Sequence, residues 1–249
     1  MKRVIKEYKK EGYVQITSPD ERFYVKTDKD GKDIFYPSVT WICEKGYPKG
    51  IAFWKYLANH GWDESEHLKE SAGARGSKIH SAIVDLLDNK EVKIDSKYFN
   101  EITNQEEELT PDEYEAVMSF IKWWNTEKPE LIAREFAVFN EERFYAGTVD
   151  LLCKIKGKMW LIDFKTGQSI WPSYELQLSA YRHALMIHKE LNLAILQIGY
   201  FRNKNKYKFT EVQDKFHLFV AAHEIWKNEC ENISPKQIEL PLMLRLEEI

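Results

Sequence analysis

Asp150, Asp163 and Lys165, within AGTVDLLCKIKGKMWLIDFKTG, are the residues whose types and spacing could do chemistry. Their neighbours are apolar (Val149, Leu151, Leu152, Leu161, Ile162, Phe164), which predicts inner strands rather than a wet edge. Phe144 to Lys154 reads as one strand, KIKGK as a turn at Gly157, and Met159 to Lys165 as the returning strand. Alternation then puts Asp163 and Lys165 on one face, with Ile162 and Phe164 on the other. Asp150, on the adjacent strand, can reach the face of Asp163. Two carboxylates beside an ammonium would be costly if merely buried. A divalent cation accounts for them, because Mg2+ takes oxygen ligands and is held by one or two carboxylates plus substrate phosphate. For D-x-K alone, a surface ion pair on a solvated hairpin is the plainer explanation.

The elements that must position these residues follow from pattern. Arg22 to Thr40 reads as a hairpin turning at Asp28 to Gly31. A helix is predicted from Ile51 to about Gly61 and another from Ala74 to Leu87. Ile79, Ala82, Ile83, Leu86 and Leu87 make the buried stripe of the second. Thr110-Pro111-Asp112-Glu113 carries a capping box for a helix running to about Asn125. Strands follow near Leu131 to Phe139, Phe144 to Ile155 and Met159 to Lys165, then a helix from Pro172 to about Lys189. Strands near Leu193 to Phe201 and Tyr207 to Val212 and a helix from Asp214 to Asn232 complete the order. The closing LPLMLRLEEI alternates apolar residues, as an edge strand or a subunit contact would.

Several ordered pieces resemble the PD-(D/E)XK nuclease superfamily, in particular its RecB-like, phage exonuclease-like branch. They are YPSVTWI at Tyr36 to Ile42, His80 in GARGSKIHSAI, Glu135 in AREFAVF, Asp150 in GTVD, Asp163-x-Lys165 in IDFKTG, and Gln177 with Tyr181 in ELQLSAYRHAL. Val149 stands where the proline of the superfamily's name would be. The resemblance implies an α/β restriction-endonuclease-like core: a mixed central sheet flanked by helices, with the site at one sheet edge and a mostly helical N-terminal elaboration. The chain is then expected to be one nuclease domain, with residues 1–126 carrying the hairpin and helices and residues 127–249 the sheet core.

The resemblance also implies roles. His80, Asp150, Asp163 and the Phe164 carbonyl would hold one or two Mg2+ or Mn2+ ions, and a nitrogen ligand favours accepting Mn2+. Lys165 would orient or activate the attacking water. Glu135 is open: a strand would put Ala133, Glu135 and Ala137 on one face, either facing solvent or serving a second ion or a water. Gln177 and Tyr181, one helical turn apart, would position substrate, whereas Tyr174 fits ordinary packing. Arg75 and Lys78 are candidate backbone contacts, and GARGSK could aim helix N-terminal N–H groups at a phosphate. Of the tryptophans 41, 54, 62, 123, 124 and 171, most should be core. Trp171, after the D-x-K strand, is the preferred stacking candidate.

Composition sets the outer limits. At 43% hydrophobic and 14% aromatic residues the chain can bury a sizeable core. A net charge of −4 gives no overall basic surplus for DNA, so binding would need a local channel. Lys45, Lys49, Arg75, Lys78 and the run FRNKNKYK are the candidates for it, although that run also fits a solvated loop. Cys43, Cys153 and Cys230 are too few for a four-cysteine iron–sulfur cluster within one subunit and fit a reducing compartment. MKRVIKEYKK lacks the apolar run of a secretory signal and no stretch is long enough to span a bilayer, so a cytoplasmic location is expected, in the host cell if phage-encoded. The expected activity is metal-dependent hydrolysis of DNA, by an exonuclease in recombination, repair or phage DNA processing. The alternatives are a structure-dependent endonuclease and an inactive nucleic-acid-binding module. DNA, and a recombination or replication protein, are the expected partners.

Overall fold

The computed structural model describes residues 6–10 (backbone only), 13–17, 21–185, 191–230 and 234–235. The chain opens with β1 (Lys6–Lys10), β2 (Tyr13–Thr17), β3 (Arg22–Thr27) and β4 (Asp33–Pro37). These pair in sequence order as an antiparallel meander. Helices α1 (Val39–Gly46), α2 (Ile51–His60) and α3 (Trp62–Leu87) follow, then the hairpin β5 (Lys97–Asn100) and β6 (Gln105–Glu108) and helix α4 (Pro111–Glu127). The rest is β7 (Glu130–Asn140), β8 (Tyr145–Ile155), β9 (Lys158–Lys165), α5 (Pro172–Ala184), β10 (Leu191–Ile198), β11 (Tyr207–Val212) and α6 (Phe216–Glu229).

The central sheet has the order β11-β10-β9-β8-β7, mixed because β10 runs parallel to β9 while the other pairs are antiparallel. Its two faces carry separate cores. On one, Leu161, Leu193 and Ile195 pack with Leu176 and Tyr181 of α5, Ile42 of α1 and Phe219 of α6. The inner face of the N-terminal meander, Ile16, Phe23 and Val25, joins the same cluster. On the other, Ile162, Phe164, Ala194 and Leu196 pack with Ile79 and Ile83 of α3 and Phe120 and Trp123 of α4. Burial on both faces explains the nearly continuous apolar runs of β9 and β10.

Local sequence explains the boundaries. The β8–β9 connection is Lys156-Gly157, both at positive φ (50° and 78°), as a two-residue type I′ turn requires. Thr110 and Glu113 form the expected capping box on α4.

Three expectations change. The N-terminal part holds a four-stranded meander and the β5–β6 hairpin besides its helices, so it is less helical than expected. Helix α3 begins at Trp62 rather than Ala74, so GARGSK lies inside it. Interior helical N–H groups bond to carbonyls four residues back and cannot greet a phosphate. β9, the D-x-K strand, is the central strand of five, so the carboxylates do not lie at a sheet edge. The stretch 240–249 and the expected ends of the fifth and last helices lie outside the described residues. Among the described residues no helix is long and apolar enough to cross a membrane.

Candidate active site

The site begins where the β8–β9 ladder ends. The last pair is Leu151 with Ile162, so the next would be Asp150 with Asp163. Instead the strands part there, and Asp150 Oδ2 accepts the Phe164 N–H at 2.7 Å. The carboxylate thus takes over a backbone donor that the ladder has abandoned. Side-chain alternation slips at the same point. Val149 and Leu152 both face the α5 core, whereas Leu151 and Cys153 face α3 and α4.

Strand β7 answers with its own irregularity. The pairs Arg134–Leu151 and Phe136–Val149 bracket Glu135, which therefore sits opposite Asp150. Glu135 has φ 41°, a left-handed conformation that costs a non-glycine residue roughly 1–3 kcal/mol. Across it Ala133, Phe136 and Val138 all pack on the α5-side core. The expected sharing of a face by Ala133 and Ala137, away from Phe136, fails for this reason. Glu135 is turned neither fully to solvent nor into the core; it lines the cleft.

On β9 alternation holds: Ile162 and Phe164 enter the α3–α4 core while Asp163 and Lys165 take the opposite face. Asp163 is 2% exposed, and Lys165 Nζ lies 2.7 Å from its Oδ2. From α3, His80 sets its ring edge-on to Phe164, with Nδ1 3.8 Å from Asp150 Oδ1. Burial pushes the Asp163 carboxyl up to about 6; Lys165 pulls against that and Asp150 adds to it. Lys165 is held above its usual value because Asp163 and Asp150 outweigh the burial that lowers it. Burial takes His80 down to about 4, helped by Lys165, so its imidazole is neutral at neutral pH.

These groups have the donor chemistry of a divalent-cation site. One lysine cannot compensate two aspartates, and a neutral imidazole stands beside them, giving the oxygen and nitrogen ligands that Mg2+ or Mn2+ accepts. Among the described residues no three His, Cys, Asp or Glu side chains stand close enough together to hold an ion as they are placed.

Helix α5 supports the lysine. Gln177 Oε1 accepts from Lys165 Nζ at 3.4 Å, and Gln177 Nε2 donates to Tyr181 Oη at 2.8 Å. Tyr181 is buried and packs against Gly147, where an added Cβ would overlap its ring. Tyr174, expected only to pack, has its ring 4.5 Å below Lys165 Nζ, a cation–π contact.

A cleft of about 390 Å³ gathers His80, Glu135, Asp150, Asp163, Phe164, Lys165, Gln177 and Tyr181. It leaves out three expected residues. Lys78 is 4% exposed and held 2.8 Å from Glu113 Oε2, so it ties α3 to α4 and presents nothing to solvent. Arg75 donates to the Thr166 carbonyl at 3.5 Å, bracing the exit of β9. Trp171 is the N-cap residue of α5, 43% exposed and outside the cleft lining. Trp41 and Trp123 are core, whereas Trp54 and Trp62 are exposed. The cleft also takes in Thr40, from the YPSVTWI piece, and Gln15, Arg22, Tyr24, Glu101 and Thr148, which sequence reasoning did not single out. Of these last five, only Thr148, two residues before Asp150, carried a positional hint.

A central mixed sheet that opens between two aspartates, with a lysine two residues on and helices on both faces, fits the PD-(D/E)XK nuclease fold. The sequence profile of the PD-(D/E)XK nuclease superfamily matches residues 52–240, and the chain belongs to that superfamily. Its members are typically metal-dependent phosphodiesterases acting on nucleic acid. No curated protein matches the chain.

Proposed function

We propose that this chain is a Mg2+- or Mn2+-dependent deoxyribonuclease, an exonuclease of the RecB-like, phage-type branch, working as one domain over residues 1–249. The observation that carries the reading is the parting of β8 and β9 at Asp150 and Asp163 with Lys165 beside them. His80, Asp150, Asp163 and the Phe164 carbonyl would hold the metal. When bound, it polarises the phosphoryl oxygen and lowers the pKa of its water.

The remaining work falls to the protein. Asp163 keeps the Lys165 ammonium in place and charged, so that Lys165 can orient the attacking water and offset charge gathering on the phosphate. Gln177 and Tyr181 fix the lysine's approach, while Tyr174 screens its far side. Asp150 holds the Phe164 main chain, which keeps that carbonyl at the fork.

The test is digestion of end-labelled linear DNA beside a covalently closed circle, with Mg2+ or Mn2+ and with EDTA. Metal-dependent loss of the linear substrate alone, abolished by Lys165→Ala and by Lys165→Arg, is the expected result. Cutting of the circle would make the protein an endonuclease. Failure of folded protein to cut any single- or double-stranded substrate would refute the nuclease reading.

A further inference from the structure

The superfamily match begins at residue 52, yet Gln15, Arg22, Tyr24 and Thr40 of the cleft precede it. Three of them come from one surface of the N-terminal meander. Arg22 pairs with Thr17 and Tyr24 with Gln15 across β2 and β3, so these side chains share a face. The opposite face, Ile16, Phe23 and Val25, is sunk in the core, which fixes the register. Tyr24 pins the sheet to the catalytic strand: its hydroxyl lies 2.9 Å from Thr148 Oγ1, two residues before Asp150.

Charge gives this wall its meaning. The cleft is lined by four carboxylates, Glu101, Glu135, Asp150 and Asp163, against the cations Arg22 and Lys165. Lys165 is engaged by Asp163. Arg22 is the other cation, and among the described residues no carboxylate lies within ion-pairing distance of it. Its Nε donates to Thr17 Oγ1 at 3.4 Å, and its carbonyl accepts the Ser38 N–H at 2.8 Å. The two terminal guanidinium nitrogens have no partner among the described residues. A strand of nucleic acid entering an acidic cleft needs a cation that no carboxylate has cancelled, and a planar guanidinium matches a phosphate with two donors at once.

We propose that the N-terminal meander is a substrate-binding wall added to the nuclease core, and that Arg22 grips a phosphate of the nucleic-acid strand in the cleft. The assignment rests on the nuclease reading. The phosphate is either an internal diester or a terminal monoester.

The experiment measures fluorescence anisotropy of labelled oligonucleotides with Ca2+ replacing Mg2+, across a salt series. Arg22→Ala should weaken binding about tenfold and reduce the slope of log affinity against log salt by about one. Arg22→Lys should recover the slope but not the full affinity. Thr17→Val, which removes the Nε partner and keeps the charge, should leave both near wild type. In cleavage assays Arg22→Ala should raise KM far more than it lowers kcat, with Mn2+ affinity by calorimetry unchanged. Equal loss on 5′-phosphoryl and 5′-hydroxyl strands supports an internal diester, and loss confined to the phosphorylated strand supports a terminal monoester.

Wild-type affinity and salt slope in Arg22→Ala overturn the assignment. So does a loss reproduced by Thr17→Val together with a lowered melting temperature, which would make the residue structural. If the wild type neither binds nor cuts nucleic acid, the nuclease reading falls and Arg22 with it. If it does both and Arg22→Ala matches it, only Arg22 falls.

Discussion

Replacing Lys78 with Met separates a structural lysine from a DNA contact. Lys78 Nζ is 2.8 Å from Glu113 Oε2, 3.4 Å from the Glu108 carbonyl and 3.9 Å from Glu107 Oε2. The Lys78 and Glu113 side chains are each 5% exposed, so solvent screens the pair little. Methionine fills the same space and leaves the Glu113 carboxylate buried without its cation. Removing one partner of a buried pair costs about 3–5 kcal/mol. Glu113 keeps one strong donor, the Thr110 N–H at 2.8 Å, which places the expected loss near the lower end. At about 2–4 °C per kcal/mol for a chain of this size, a loss of about 3 kcal/mol lowers Tm by roughly 6–12 °C. Adding Glu113→Leu should recover part of that loss, minus about 1 kcal/mol for the broken capping box. The assay is thermal melting of the four proteins of this double-mutant cycle, with oligonucleotide binding measured well below the lowest Tm. A Lys78→Met protein melting within about 2 °C of wild type, with weakened binding and a shallower salt slope, would refute the buried pair and return Lys78 to the substrate.

Three further outcomes are expected. Gly147→Ala should drive the Tyr181 ring from its seat, costing about 1–3 kcal/mol of stability and lowering kcat at least tenfold through Gln177 and Lys165; unchanged turnover would show that this chain of contacts does not hold the lysine. Tyr174→Leu should keep the packing but lose the cation–π contact, reducing activity several-fold with little change in Tm, as steady-state kinetics beside a melt would show. His223 is 1% exposed, its Nε2 has no partner among the described residues, and burial, with Lys227 adding, lowers it to about 4. The unfolded chain protonates it near 6.5, so its contribution is full above that pH and is lost as pH falls toward about 4, roughly 3 kcal/mol in all. His223→Phe should flatten this part of the stability–pH profile in denaturant titrations, and an unchanged slope would refute the assignment.

Much of the fold was legible because its signals are local. Turn chemistry at Lys156-Gly157, the capping box at Thr110 and Glu113, and the apolar stripe of α3 each depend on residues a few positions apart. The short edge elements were not legible. β6 is Gln-Glu-Glu-Glu, and β1 is rich in lysine, so neither has the alternation of a half-buried strand. Each exists because a neighbour supplies its ladder. The start of α3 was misplaced because Trp62 to Gly73 has no buried stripe beyond Ser65, and its helicity comes from continuity with the buried half.

For the site, sequence alone placed two aspartates and a lysine on adjacent strands, and the family resemblance added His80, Gln177 and Tyr181 to them. Those signals survive in one dimension because strand alternation and helical spacing fix which side chains share a face. The tertiary structure decided which charges are available. Lys78 and Arg22 look alike in a sequence, each a cation beside apolar residues. Glu113 closes over Lys78 from the separate helix α4, while the meander carries Arg22 to the rim of the fork. It also decided where the ladder opens: the parting at Asp150 on one edge of β8 lies opposite the left-handed residue Glu135 on the other. Non-local pairing of charges and of backbone donors has no short-range signature, so only the folded chain could settle either.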